Sequence, residues 1–218
     1  MAYRALLFDL DGTLLDTLQD IADSVNSALA HFGFPQHELD AYRYFVGDGV
    51  EMLAIRALPE DRRDQMTVGK VVARIDEAYS LRWANNTRPF QGIPELLDAL
   101  TNIGIRMAIL SNKGHSFAEL TVSTLLPEWH FDLVVGAQPS IPRKPDPMAA
   151  LQIARQMSLI PTEFLYIGDS AIDMKTAVAA NMYPIGALWG YRTADELLTG
   201  GARALVEKPT HVLSLLND

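Results

Sequence analysis

From residue 89 onward the chain alternates short apolar runs with stretches of helical periodicity, and this alternation limits the fold more than any other feature. Residues 105–110, 132–135, 164–167 and 184–188 read as strands, and 204–206 as a last short one. Residues 94–100, 148–157 and 173–180 read as helices, as does a segment ending at Leu126, and 212–216 reads as a final helical turn. Residues 4–8 add a strand at the start. Strands separated by helices need crossover connections, and these give a parallel sheet covered on both faces. The expected class is α/β, a doubly wound parallel sheet. Pro184 puts its strand at or near a sheet edge, because proline lacks the N–H that a central strand uses.

Nothing between residues 17 and 84 alternates like a strand. Leu18, Ile21, Val25, Leu29 and Phe32 recur at helical spacing, with Thr17 and Asp20 placed as a capping pair and Gly33 as the stop. Further helices follow over 36–45, around Met52–Leu58 and around Val68–Tyr79. The polar joint 85–89, Asn-Asn-Thr-Arg-Pro, ends the block. The expected organisation is an α/β core of residues 1–15 and 86–218 with an inserted all-helical cap domain, 16–85. The insert leaves the chain just after the first strand, so it reads as a lid over that end of the sheet.

Composition narrows the function classes. A net charge of −9 in 218 residues argues against a nucleic-acid or anionic-membrane surface. With no cysteine there is neither disulfide nor thiolate chemistry, which suits the cytoplasm. No apolar run approaches the roughly 18 residues of a membrane span, and Asp9 breaks the N-terminal run before it could serve as a signal peptide.

Ligands of doubly wound sheets bind outside the carboxyl ends of the strands. This chain puts its polar strand-end groups there: Asp9 and Asp11, then Ser111 and Asn112, Lys144 in the loop after a strand, and Asp169. In an extended segment Asp9 and Asp11 point to one side, with Leu10 turned away. Two crowded carboxylates repel unless a cation or a shared proton intervenes, and a hard ion such as Mg2+ prefers oxygen ligands. Ser111 and Asn112 offer donors to phosphate oxygens, and Lys144 a point positive charge. Asp173 either faces the same ion or favours the start of its helix. Each group also has a plainer use: acids cap helices, Ser-Asn and Gly-Asp-Ser form turns, and Lys-Pro sits in exposed loops.

Taken together, these segments resemble the four motifs of the haloacid dehalogenase superfamily of aspartate-nucleophile phosphotransferases. Asp9-Leu10-Asp11-Gly12-Thr13-Leu14 looks like motif one, Ser111-Asn112 motif two, Lys144-Pro145 motif three, and Gly168-Asp169-Ser170-Ala171-Ile172-Asp173 motif four. The helical insert is similar to the C1 cap of that superfamily. The resemblance implies Asp9 as nucleophile and Asp11 as general acid and base. It implies Mg2+ held by Asp9, the Asp11 carbonyl and Asp169 with Asp173 behind, and a phosphoryl group held by Ser111, Asn112 and Lys144.

Asp11 argues for a phosphatase over a dehalogenase, since halide leaves without a proton. Phe45-Val46-Gly47-Asp48-Gly49 and Thr87–Ile93 resemble the cap loops of phosphoglycolate phosphatases. Gly47 and Gly49 suit a backbone nest for a small carboxylate, or equally a plain helix-joining turn. The expected activity is Mg2+-dependent hydrolysis of a small phosphorylated metabolite, 2-phosphoglycolate first, by a monomer or homodimer. Pyrophosphatases, sugar-phosphate phosphatases and β-phosphoglucomutases share the core and the cap type. A phosphoacceptor signalling domain is the rival of another class, but such domains are shorter and lack the insert.

Overall fold

A computed structural model of the chain describes residues 3–217. The chain divides into two compact units, Met1–Leu15 with Pro89–Asp218, and Asp16–Arg88. In chain order the elements are β1 (Ala5–Phe8), β2 (Leu15–Asp16), α1 (Leu18–His31), α2 (Leu39–Phe45), α3 (Val50–Ala57), α4 (Gln65–Ser80), β3 (Arg88–Pro89) and α5 (Ile93–Asn102). They continue with β4 (Arg106–Gly114), α6 (His115–Leu125), β5 (Leu133–Ala137), α7 (Met148–Gln156), β6 (Phe164–Gly168), α8 (Ala171–Ala179), β7 (Tyr183–Ala187), α9 (Ala194–Gly200) and β8 (Ala204–Val206). Pro209–Asn217 forms 3-10 turns that take in the helical turn expected at 212–216.

In the first unit six strands pair in parallel in the order β5-β4-β1-β6-β7-β8, the doubly wound sheet that the alternation predicts. From β1 the sheet grows to β4 and β5 on one side, then to β6, β7 and β8 on the other. The order therefore reverses at β1, and a crevice opens at such a point. β1 is buried on both faces. Leu6 and Phe8 enter a core lined by α5, α6 and the C-terminal turns, while Ala5 and Leu7 enter one lined by α7 and α8. That is the period-two alternation of a strand sandwiched between helical layers. β7 lies one strand in from the β8 edge, so Pro184 is near the edge but not on it; its carbonyl accepts from the Arg203 N–H at 3.0 Å.

The second unit is helical, built from α1 to α4 and a 3-10 turn at Glu60–Arg62. Thr17 makes no side-chain cap on α1, and Asp20 serves a different purpose from the capping partner expected of it. Its buried carboxylate accepts from the Asn86 N–H at 2.9 Å and side-chain amide at 2.8 Å, and from the Thr87 N–H and hydroxyl, both at 2.8 Å. One side chain in the first turn of α1 thus ties down the returning strand 66 residues later. Burial opposes its charge, but the Asn86 and Thr87 donors outweigh that and hold the carboxyl below its ordinary value of 3.8. Asp20→Ala should cost about 3 kcal/mol at neutral pH, since the two buried Thr87 donors and the part-buried Asn86 donors lose a charged acceptor at once. Urea unfolding measures the loss. A depressed carboxyl stabilises above its unfolded value and stops doing so as pH falls through its folded value, so the gap to wild type should narrow below about pH 4.

Gly47 and Gly49 lie in this unit, between α2 and α3, with φ of 128° and 87°. Arg56 braces their loop by donating to the Phe45 carbonyl at 2.9 Å and to the Asp48 carboxylate.

Candidate active site

Three of the central strands end in chemistry. β1 runs directly into Asp9, whose N–H still donates to the Ile167 carbonyl of β6 at 2.9 Å, so the nucleophile candidate sits on sheet backbone rather than on a free loop. Leu10 turns into the core, as alternation requires. β6 ends at Gly168 and delivers Asp169; Ser170 then caps α8.

Asp9, Asp169 and Asp173 come together, each buried and each offering a carboxylate oxygen, the three atoms lying within 4.8 Å of one another. Lys144 reaches into the cluster. Its ammonium lies 2.7 Å from Asp9 Oδ1 and 2.6 Å from Asp173 Oδ1, with its side chain 2% exposed. When all three carboxyls are ionised, one ammonium leaves two negative charges uncompensated. Burial raises the Asp9 carboxyl well above its ordinary value, and Asp173 adds to it. Burial and then the Asp173 charge push Asp169 up to about 7, against the pull of the Tyr191 N–H, which donates to Asp169 Oδ2 at 2.7 Å. Burial works against Lys144, but Asp173 and Asp9 overcome it and hold the ammonium well above its ordinary value. An all-oxygen, anionic, buried cluster fits a divalent cation of the hard class.

Asp173 both joins the cluster and starts its helix, so the two uses considered from sequence are not exclusive. Its Oδ2 accepts from the Ser170 hydroxyl at 2.6 Å and N–H at 3.2 Å, while Ser170 Oγ accepts from the Asp173 N–H at 3.4 Å. This capping box fixes the carboxylate that Lys144 bonds. Tyr166, on β6, donates to Asp173 Oδ1 at 3.4 Å.

Backbone must pass very close to these acids, and glycine allows it. A Cβ on Gly12 would lie 2.4 Å from Asp169 Oδ2, and its φ of +89° disfavours any side chain. A Cβ on Gly190 would lie 2.2 Å from the Asp169 Cβ and 2.5 Å from the Gly12 carbonyl oxygen. Trp189, beside it, is a packing residue whose indole N–H also donates to the Thr13 carbonyl at 2.8 Å. Thr13 in turn donates to Asp169 Oδ1 at 3.3 Å.

Two of the expected site residues have partners that the sequence does not announce. Asp11 does not add its carboxylate to the three-acid cluster; it meets Lys113 instead, at 3.0 and 3.2 Å. The Asn112 amide faces the Lys144 backbone, with Oδ1 accepting from the Lys144 N–H at 3.0 Å and Nδ2 donating to the Lys144 carbonyl at 3.1 Å. It clamps the loop that carries the lysine, and Ser111, buried beside it, accepts from the Lys113 N–H at 3.2 Å. Sequence reasoning assigned no role to Lys113, Thr13, Tyr166, Gly190 or Tyr191. The signal was there only for Lys113, which follows Ser111-Asn112 directly.

Residues 6–187 match the family model described as haloacid dehalogenase-like hydrolase. A phosphoglycolate phosphatase of Xylella fastidiosa is 34% identical over 212 residues, covering 97% of this chain and 91% of that protein. Phosphoglycolate phosphatase 1 of Pseudomonas aeruginosa is 30% identical over 219 residues, covering 99% and 78%. Among solved structures, a Lactobacillus delbrueckii protein provisionally named a phosphoglycolate phosphatase superposes with a TM-score of 0.92 at 28% identity, covering 99% of each chain.

Proposed function

Since this chain belongs to the haloacid dehalogenase-like hydrolase family, we propose that it is a cytoplasmic, Mg2+-dependent phosphatase acting on a small phosphomonoester, 2-phosphoglycolate first, through a phosphorylated Asp9. The observation that carries this reading is the Asp9 carboxylate itself. It is buried at the switch point of the sheet, bonded to Lys144 and within one ion's reach of Asp169 and Asp173. A carboxylate is a weak nucleophile toward a phosphate dianion, and neighbouring positive charge removes the repulsion. Asp9, the Asp11 carbonyl and Asp169, with Asp173 behind them, would hold Mg2+, which would supply charge neutralisation to the transferring group.

The protein's own groups then divide the work. Asp9 attacks phosphorus and the bond from phosphorus to the leaving oxygen breaks. Asp11 gives that oxygen its proton. In the second half a water attacks the phosphorus, Asp11 takes its proton back from that water, and the bond from Asp9 to phosphorus breaks to release phosphate. General acid help of this kind contributes about 10²- to 10⁴-fold. The phosphoglycolate phosphatase names of the relatives support the choice of first substrate.

The test is a panel of 2-phosphoglycolate, pyrophosphate and hexose phosphates compared by kcat/KM. We expect 2-phosphoglycolate to lead by at least about tenfold, the effect of one well-made polar contact. Chelation should abolish phosphate release and added Mg2+ should restore it. Equal rates across the panel would overturn the substrate assignment, and no turnover of any ester would overturn the phosphatase.

A further inference from the structure

We propose that Lys113 is the positioning residue of Asp11, an inference that rests on the acid–base role given to Asp11 above. The acidic pair of the first loop is served by two separate lysines. Lys144 takes Asp9, while the Lys113 ammonium donates to both oxygens of Asp11, at 3.0 and 3.2 Å. The Lys113 and Asp11 side chains are 7% and 13% exposed, so the pair is largely withdrawn from water. Ion pairs on open surfaces contribute little, whereas a withdrawn pair is costly to break because the survivor keeps an uncompensated charge.

The backbone shows how Lys113 is aimed. β4 does not stop at Leu110, where its apolar run ends, but continues to Gly114. Its register against β5 shifts between Leu110 and Gly114, and such irregularities re-aim side chains at strand ends. Within that irregular stretch the Ser111 hydroxyl accepts from the Lys113 N–H, and Asn112 holds the Lys144 backbone. One strand end thus steadies both lysines: Lys144 through its main chain, Lys113 by direct placement.

Asp11 needs this help. It lies past the end of β1 in an isolated bridge with Leu15, and χ1 and χ2 would otherwise leave the carboxylate several orientations. A proton donor must lie within hydrogen-bond reach of one particular oxygen, and small misplacements cost rate steeply. An ammonium bonded to both carboxylate oxygens restricts that freedom.

The test uses two esters. With p-nitrophenyl phosphate the leaving group needs no proton; with 2-phosphoglycolate it does. For Lys113→Met we expect kcat with 2-phosphoglycolate to fall about 10²-fold with KM little changed. With p-nitrophenyl phosphate, rapid mixing should show a burst of one nitrophenolate per enzyme, then slow turnover as water attack on the phosphorylated Asp9 stalls. Lys113→Arg, able to bond both oxygens, should restore most of kcat. If Lys113→Met does not fold, Lys113→Gln carries the same comparison. A raised KM for both esters with kcat intact would make Lys113 a substrate-binding group and overturn the proposal. So would a uniform loss on both esters with no burst. Asp11→Asn separates the two levels. If it shows no stalled burst, the role of Asp11 fails; if it stalls while Lys113→Met and Lys113→Gln do not, only the role of Lys113 fails.

Discussion

Asp9→Asn should remove turnover by at least about 10⁴-fold, on the scale of losing a covalent nucleophile, and leave a folded protein. The carboxamide has nearly the shape of the carboxylate but no charge to direct at phosphorus. Its oxygen still accepts from Lys144, now 2.7 Å from Asp9 Oδ1, so the buried ammonium keeps Asp173 and one neutral partner. Stability should hold or rise. Burial and the Asp173 charge disfavour ionised Asp9 in the folded state, and the amide is relieved of both. Two measurements check this: phosphate release, and the mass of protein quenched in the presence of substrate, which should carry no phosphoryl group. A variant within tenfold of wild type would move the nucleophile to another residue.

Asp9 and Asp169 could be read because a parallel sheet puts all its strand ends on one edge, and an acid directly after an apolar run must lie there. Lys144 was legible as a charge but not as a contact. It comes from the loop before α7, and only folding shows that Asn112 clamps its backbone and Asp173 its ammonium. Lys113 was legible only by its place after Ser111-Asn112, because an apolar run ending at Leu110 looks like the end of a strand; β4 instead runs on to Gly114, which pairs with Ala137 of β5 after a register shift. Asp20 misled for the same reason. In the first turn of α1 a local cap is the cheapest reading, yet its partners lie at Asn86 and Thr87. Local periodicity therefore fixed the elements well, while pairings between side chains far apart in sequence needed the fold.

Lys144→Met should strongly destabilise the first unit. With metal chelated at neutral pH we expect a loss of about 3–5 kcal/mol, the range for stripping one partner from a buried ion pair. In wild type the ammonium lies within 2.7 Å of Asp9 and 2.6 Å of Asp173. Without it, Asp9, Asp169 and Asp173 face one another unrelieved. The pH dependence identifies the cause. The Lys144 value is raised on folding, so its contribution is complete below its unfolded value of about 10.4 and constant across the acidic range. Asp9 and Asp169 are raised as well, Asp169 to about 7 from 3.8. A carboxyl that binds its proton more tightly when folded makes stability fall as pH rises between those two values. Removing the lysine lifts these carboxyls further, so the variant should lose more than wild type at pH 7 and recover toward it as pH falls to about 4.5. Urea midpoints at several pH values read this directly. A deficit constant from pH 7 to 4.5 would mean that the variant suffers from lost packing of the lysine stem, and that carboxylate repulsion is not what Lys144 holds in check.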